Sequence, residues 1–113
     1  MKITVLGGGH GCYAAAVEMA EKGHDVVLWR RDADALKKLA ETGELFILDY
    51  QGERSVTVGW NNSQINLQES LEQAIAGAEL VIIPLPATTH LNLAQQTAPY
   101  FKDGQVIYLP PGT

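Results

Sequence analysis

The stretch ITVLGGGHGCYAAAVEMA, residues 3–20, has the pattern of a buried strand, a glycine-rich turn and a helix. A helix amino terminus offers free backbone N–H groups and the positive end of the helix dipole, which together attract phosphate. Gly7 would make the tight turn, and Gly9 would let the backbone approach the phosphates. Gly8 and Gly11 add conformational freedom on either side. The stretch therefore predicts a turn that holds the diphosphate of a dinucleotide.

Cys12 stands where this fingerprint has its third glycine, at the point where helix and strand pack closely. Cysteine is a small hydrophobic residue, so a slight displacement of the helix would accommodate it. A reactive thiol at a helix amino terminus is the alternative for Cys12. His10 either contacts a phosphate or faces solvent. The alternative for the whole motif is a glycine-rich turn that serves chain geometry alone.

Apolar runs and helical segments alternate along the rest of the chain. Strands are predicted at 3–6, 26–29, 80–83 and 106–109, helices near 11–22, 32–42, 68–76 and 88–98, a hairpin or irregular strand pair at 44–58, and a brief extended piece at Ile65. Asp32 is the predicted cap of the second helix, and Gly23 and Gly43 are the predicted ends of the first two. We therefore expect an α/β fold, a Rossmann-type doubly wound and mostly parallel sheet with the element order β-α-β-α-β(β)-α-β-α-β.

The second strand ends in LWRRD, where a domain of this type that binds NAD carries Asp or Glu on the ribose hydroxyls. Trp29, Arg30 and Arg31 occupy this place. A guanidinium can bind a 2′-phosphate with two hydrogen bonds, and it can also stack on adenine. The sequence therefore favours NADP(H) over NAD(H), although NAD(H) stays an alternative. The arginines could instead be solvated, or could pair with Asp32 and Asp34.

Composition narrows the class of protein. The chain has 113 residues, a formal net charge of −5 and no concentrated run of basic residues, which argues against a general nucleic-acid binder. A single cysteine excludes an internal disulfide and a thiolate zinc cluster, and it favours a reducing, cytoplasmic location. No apolar run approaches the length of about 20 residues that spans a membrane. No metal site and no catalytic triad is predicted.

The segments VLGGGHGCYAAAVEMAEKGHDVVLW and AGAELVIIPLPATTHLNLAQQTAPYFKDGQVIYLPPGT resemble the amino-terminal domain of the octopine/nopaline (opine) dehydrogenases. That family belongs to a superfamily with ketopantoate reductase and glycerol-3-phosphate dehydrogenase. The resemblance covers nearly the whole chain and is vaguer between Glu44 and Gln64. It implies an NAD(P)H-dependent enzyme that joins a keto acid to an amino acid by reducing the imine between them.

The segment PLPATTH resembles the family's Pro-Ala-x-x-His segment. The resemblance implies that Pro84, Leu85 and Pro86 pass close to the nicotinamide ribose and that His90 lies near the substrate cleft. The alternatives are that the prolines only direct the chain and that His90 is a partly exposed helix residue without a catalytic task.

The chain departs from the family pattern at two places. The family usually reads G-x-G-N-G-G at the first turn, where this chain has His10 for the asparagine and Cys12 for the last glycine. LPPGT resembles the family's Asn-Pro-Gly segment, with Leu109 or Pro110 in place of the asparagine. These two departures bear on the fine geometry of the phosphate turn and on the closeness of the last turn to the nicotinamide.

The chain stops at YLPPGT, directly after a strand-like run. We therefore expect residues 1–113 to be one dinucleotide-binding domain, truncated before the helical substrate domain that the resemblance implies. The keto acid and the amine would bind through that missing domain, and no catalytic residue is predicted here. The alternatives are a ketopantoate-reductase-like enzyme and a nucleotide-sensing regulatory domain. A homodimer through an exposed apolar edge is a further prediction.

Overall fold

A computed structural model describes residues 1–7, 10–30, 32–49, 52–83 and 98–108. Its elements follow the chain in the order β1 (Lys2–Leu6), α1 (His10–Glu21), β2 (Asp25–Trp29), α2 (Ala33–Thr42), β3 (Glu44–Asp49), β4 (Gly52–Gly59), β5 (Ile65–Leu67), α3 (Leu71–Ala76), β6 (Leu80–Ile82), a 3₁₀ turn (Ala98–Tyr100) and β7 (Val106–Tyr108). The helix expected over 88–98 falls, except for its last residue, outside the described residues.

The strands form one seven-stranded sheet in the order β3-β4-β5-β2-β1-β6-β7. Every neighbouring pair is parallel except β3 and β4, which form an antiparallel hairpin at one edge. The strand order reverses direction at β1, because β2 lies on one side of it and β6 on the other. This topology confirms the predicted Rossmann-type sheet, and it places a crevice beyond the carboxyl ends of β1 and β6.

Helices cover both faces of the sheet, so the fold is doubly wound. One apolar cluster joins α1 and α2 to a sheet face that includes Val5, Leu28 and Ile65, all fully buried. A second cluster joins α3 and the 3₁₀ turn to the opposite face through residues such as Ile75 and Val81. Buried parallel strands need apolar side chains on both faces, which explains why the buried residues of β1, β2 and β6 are apolar apart from Thr4.

Local chemistry determines the ends of α2, as predicted. The Asp32 carboxylate accepts hydrogen bonds from the backbone N–H groups of Asp34 and Ala35, which caps the helix. Gly43 ends it in the left-handed region, with φ of 76°. Asp32 is thus a capping residue, and its carboxylate is already engaged in the helix start.

The third helix begins later than the sequence predicts. A helix was expected over 68–76, and α3 spans only Leu71–Ala76. Ser70 caps it, and the Gln68 side chain accepts from the Ser70 N–H. The Gln68 N–H donates to the carbonyl of Leu28, so sheet pairing continues through the residues where helix was expected.

The last strand lies at a sheet edge and is exposed. It spans Val106–Tyr108, its three side chains are 45 to 59% exposed, and residue 109, the predicted end, lies outside the described residues. Within the described residues β7 pairs with β6 alone. Edge strands of this kind lack the second covering layer that buries the inner strands.

Thr4 connects the central strand β1 to helix α3. Its side chain is only 1% exposed, and its Oγ1 donates to the carbonyl of Ala74 in α3. A buried hydroxyl with a partner of this kind contributes about 1 kcal/mol, whereas a buried one without a partner is costly. The bond therefore anchors the short helix α3 to the central strand.

Candidate functional site

Gly7 begins the turn that follows β1. It is buried, its φ of 133° lies in a region that side chains disfavour, and its N–H donates to the carbonyl of Trp29 at 2.9 Å. This bond ties the carboxyl end of β1 to that of β2. The predicted phosphate residues Gly8 and Gly9 lie outside the described residues.

Helix α1 begins at His10, which places Gly11 and Cys12 in its first turn. The first turn contains no acidic side chain. The positive end of the helix dipole is therefore not neutralised by a carboxylate from that turn. A helix start of this kind suits an anion, and binding of a diphosphate by this turn stays a prediction.

Arg30 directly follows β2 and lies against the first helix. Its Nη1 donates a hydrogen bond to the hydroxyl of Tyr13, and the guanidinium carbon lies 5.3 Å from the centre of the Tyr13 ring. Its Nε is buried and has no hydrogen-bond partner among the described residues. The sequence predicted Arg30 as a cofactor residue but did not identify Tyr13, because the two are brought together only by the packing of α1 on β2.

Arg30 has no carboxylate partner among the described residues, unlike Lys22 and Arg54. Lys22 pairs with Glu18 at 3.3 Å, and Arg54 pairs with Glu21 at 2.7 Å. No ion pair joins Arg30 to a described acidic residue, so the alternative that it pairs with Asp32 or Asp34 does not apply. Arg31 lies outside the described residues.

Trp29 has a structural environment that the sequence did not predict. Its side chain is 8% exposed, it packs in the second cluster, and its Nε1 donates to the carbonyl of Glu69 at 3.1 Å. The indole N–H is thus used within the protein. The bond joins the end of β2 to the segment after β5, and a direct contact between Trp29 and a cofactor stays a prediction.

The other predicted site residues follow β6 and β7. Pro84, Leu85, Pro86 and His90 lie outside the described residues, as does the segment from Leu109 onward. The described neighbours show where that part of the site begins. The Ile83 N–H donates to the carbonyl of Tyr108 at 3.0 Å, which aligns the ends of β6 and β7 beside the crevice.

A cavity of about 260 Å³ lies at the opposite edge of the sheet. Its lining includes Lys2, Asp25, Gln73 and Gly77, which stand at the amino ends of strands and around α3. Ligands of open parallel sheets bind beyond the carboxyl ends. This cavity is therefore separate from the candidate site.

Two other classes of site are not formed by the described residues. The described residues include no group of three or more His, Cys, Asp or Glu residues arranged to hold a metal ion. No helix in the described ranges is both long and apolar enough to cross a membrane.

Comparison with known proteins adds to this geometry. The chain is 32% identical over 109 residues to an opine dehydrogenase from Arthrobacter sp. (strain 1C), a match covering 96% of this chain and 29% of the relative. It is 28% identical over 114 residues to a glycerol-3-phosphate dehydrogenase [NAD(P)+] from Acinetobacter baumannii, covering 99% of this chain and 29% of that protein. The chain thus spans less than a third of the length of these curated relatives.

A solved structure of octopine dehydrogenase, described with NADH and L-arginine, superposes with a TM-score of 0.75 at 28% identity. The match covers 98% of this chain and 28% of that one. The resemblance drawn from the sequence is confirmed by these relatives. The model of the family described as the amino terminus of NAD-dependent glycerol-3-phosphate dehydrogenase matches residues 2–109, and this chain belongs to that family.

Proposed function

We propose that this chain is the NADP(H)-binding domain of an oxidoreductase of the opine-dehydrogenase type. One observation carries the cofactor part of the proposal. The Arg30 guanidinium, without a carboxylate partner among the described residues, lies against the ring of Tyr13 in a helix whose first turn carries no acid. A cation beside the positive end of a helix is unfavourable by about 0.3–1 kcal/mol, and a bound anion reverses this.

The position of Arg30 favours NADP(H) in particular. It follows the second strand, where the adenosine ribose binds in folds of this type. A carboxylate at this place would repel a 2′-phosphate, whereas a guanidinium offers it charge and paired hydrogen bonds. Gly7, Gly8, Gly9 and the first turn of α1 would hold the diphosphate. NAD(H) is the alternative cofactor, because the octopine dehydrogenase structure is described with NADH.

The first experiment is a calorimetric titration of the 113-residue chain with NADPH and with NADH. We expect both to bind and NADPH to bind more tightly, because only NADPH carries the phosphate that Arg30 can bind. Adenosine 2′,5′-bisphosphate, which lacks the nicotinamide, should also bind. Equal or tighter binding of NADH would contradict the NADP(H) preference, and no binding of either cofactor would contradict the proposed function.

The proposed reaction is hydride transfer from the reduced nicotinamide to the carbon of an imine formed from a keto acid and an amino acid. Its support is the 32% identity to an opine dehydrogenase and the 28% identity to octopine dehydrogenase, which has also been described with pyruvate. Within this chain the residues bind and orient the cofactor, and none is assigned an acid or base role. Pro84, Leu85 and Pro86 would line the nicotinamide side, with His90 nearer the substrate.

A second domain would supply the substrate pocket. Three observations favour it: the chain covers 29% of its curated relatives, no acid–base group is assigned here, and the apolar side chains of β7 are about half exposed. The same exposed strand favours self-association of the isolated chain into a dimer. The single cysteine favours a reducing compartment, and we place the reaction in the cytoplasm.

The reaction is tested on the longer protein that includes the second domain. NADPH oxidation is followed with pyruvate alone and with pyruvate plus a series of amino acids. We expect oxidation only when an amino acid is present, since the imine requires an amine. Oxidation at the same rate without any amine would support instead a keto-acid reductase of the ketopantoate-reductase type. Cofactor binding without turnover under any condition would favour a nucleotide-sensing domain.

A further inference from the structure

Tyr13 lies in the first helix at a position that the core holds in place. Its ring is partly buried and packs against the apolar cluster shared by α1, α2 and the sheet. A tyrosine with its ring held by packing has few orientations open to its hydroxyl. The Tyr13 hydroxyl is therefore a fixed acceptor at the edge of the candidate site.

Two contacts with Tyr13 together orient the Arg30 guanidinium. The hydroxyl accepts a hydrogen bond from Nη1, and the ring lies under the cation at 5.3 Å. A guanidinium is planar and offers five donors in a fixed fork. Since Tyr13 uses a donor on Nη1, the edge formed by Nε and Nη2 is left for another acceptor. The Nε on this edge is buried and has no partner among the described residues.

The chemistry of Tyr13 preserves the charge of Arg30. A carboxylate in the same place would neutralise the guanidinium and would repel a phosphate. A neutral phenol accepts one hydrogen bond and leaves the positive charge for a ligand, and the aromatic face adds a favourable cation–π contact. Among the described residues no acid competes for that charge.

We propose that Tyr13 is a positioning residue that sets the selectivity for a 2′-phosphorylated dinucleotide by holding the free edge of Arg30 toward that phosphate. This inference rests on the proposed function. It adds that selectivity depends on a residue of the first helix, and not only on the arginines that follow the second strand.

The test replaces Tyr13 with phenylalanine, which keeps the ring and removes the hydroxyl. The 113-residue chain and its Tyr13→Phe variant are titrated with NADPH, NADH and adenosine 2′,5′-bisphosphate. We expect binding of both 2′-phosphorylated ligands to weaken about 5- to 10-fold, because a hydrogen bond to a charged group is lost. NADH, which has no 2′-phosphate, should change by less than about twofold. Tyr13→Leu, which also removes the ring, should weaken the binding of the two 2′-phosphorylated ligands further.

The control is Tyr100→Phe, since Tyr100 is partly buried on the opposite face of the sheet and packs in the second cluster. It should leave all three affinities unchanged. If Tyr13→Phe changes the affinities for NADPH and NADH by the same factor, or changes neither affinity, Tyr13 has only a structural role and the inference is overturned. If the unaltered chain binds neither cofactor, the proposed function fails first, so the two failures are distinguishable.

Discussion

Replacing Arg30 with alanine is expected to weaken NADPH binding by about 10- to 100-fold, as the loss of charge-assisted hydrogen bonds to a phosphate predicts. Binding of NADH should change far less, because the guanidinium faces a hydroxyl rather than a phosphate in that complex. Calorimetric titration of both reduced cofactors measures the two changes. The Arg31→Ala variant should shift selectivity in the same direction.

Arg54→Ala is the matched control for this prediction. Arg54 lies in β4 and pairs with Glu21 at the end of α1, away from the carboxyl ends of the parallel strands. Its removal should leave both cofactor affinities unchanged, although it makes the net charge of the chain more negative by the same amount as Arg30→Ala. If Arg30→Ala and Arg54→Ala weaken NADPH binding equally, general electrostatic attraction alone explains the loss, and the assignment of Arg30 is wrong.

Replacing Gly7 with alanine is expected to lower both stability and cofactor binding. The residue is buried with φ of 133°, so a side chain there should cost about 1–3 kcal/mol of unfolding free energy. The added methyl group also stands where the backbone should approach the diphosphate, so both cofactors should bind at least about tenfold more weakly. Urea unfolding measures the first effect, and titration of the folded variant measures the second.

Gly23→Ala separates strain from the loss of the site. Gly23 has φ of 89° after α1, and an added Cβ would meet no atom within 4 Å. Alanine at this place should cost about 1 kcal/mol from backbone strain alone. Cofactor affinity should not change, because this end of α1 is opposite to the phosphate turn. Normal cofactor binding by Gly7→Ala would show that the turn after β1 does not hold the diphosphate.

The sequence predicted those parts of the fold whose cause is local. Helix α2 begins after Asp32, whose carboxylate caps free N–H groups, and ends at Gly43, which accepts a positive φ. Neither effect depends on distant residues. The predicted start of α3 was wrong because a tertiary contact determines where this helix begins. The Gln68 N–H is taken by the carbonyl of Leu28, a partner forty residues earlier in the chain. The sequence predicted an exposed apolar edge but did not assign it to β7, since an apolar run does not show which strand lies at the edge of the sheet.

The candidate site divides in the same way. Spacing alone indicated Gly7 and Arg30, because the fingerprint fixes the position of the turn and of the second strand's end. It could not indicate Tyr13, which reaches Arg30 only when α1 packs on the sheet. Trp29 was predicted from its neighbours in the chain, yet its indole N–H is bound by Glu69 within the protein. Contacts of Gly8, Gly9, Arg31 and the segment after β6 stay predictions.

Three hydrogen bonds link the ends of β1, β2 and the segment after β5: Gly7 to Trp29, Trp29 to Glu69, and Gln68 to Leu28. Displacing the end of β1, β2 or β5 relative to its neighbours would break at least one of them. The entropy lost in aligning these ends is therefore lost when the chain folds, not when a ligand arrives. If the proposed function holds, the adenosine half of a dinucleotide would meet strand ends that are already aligned.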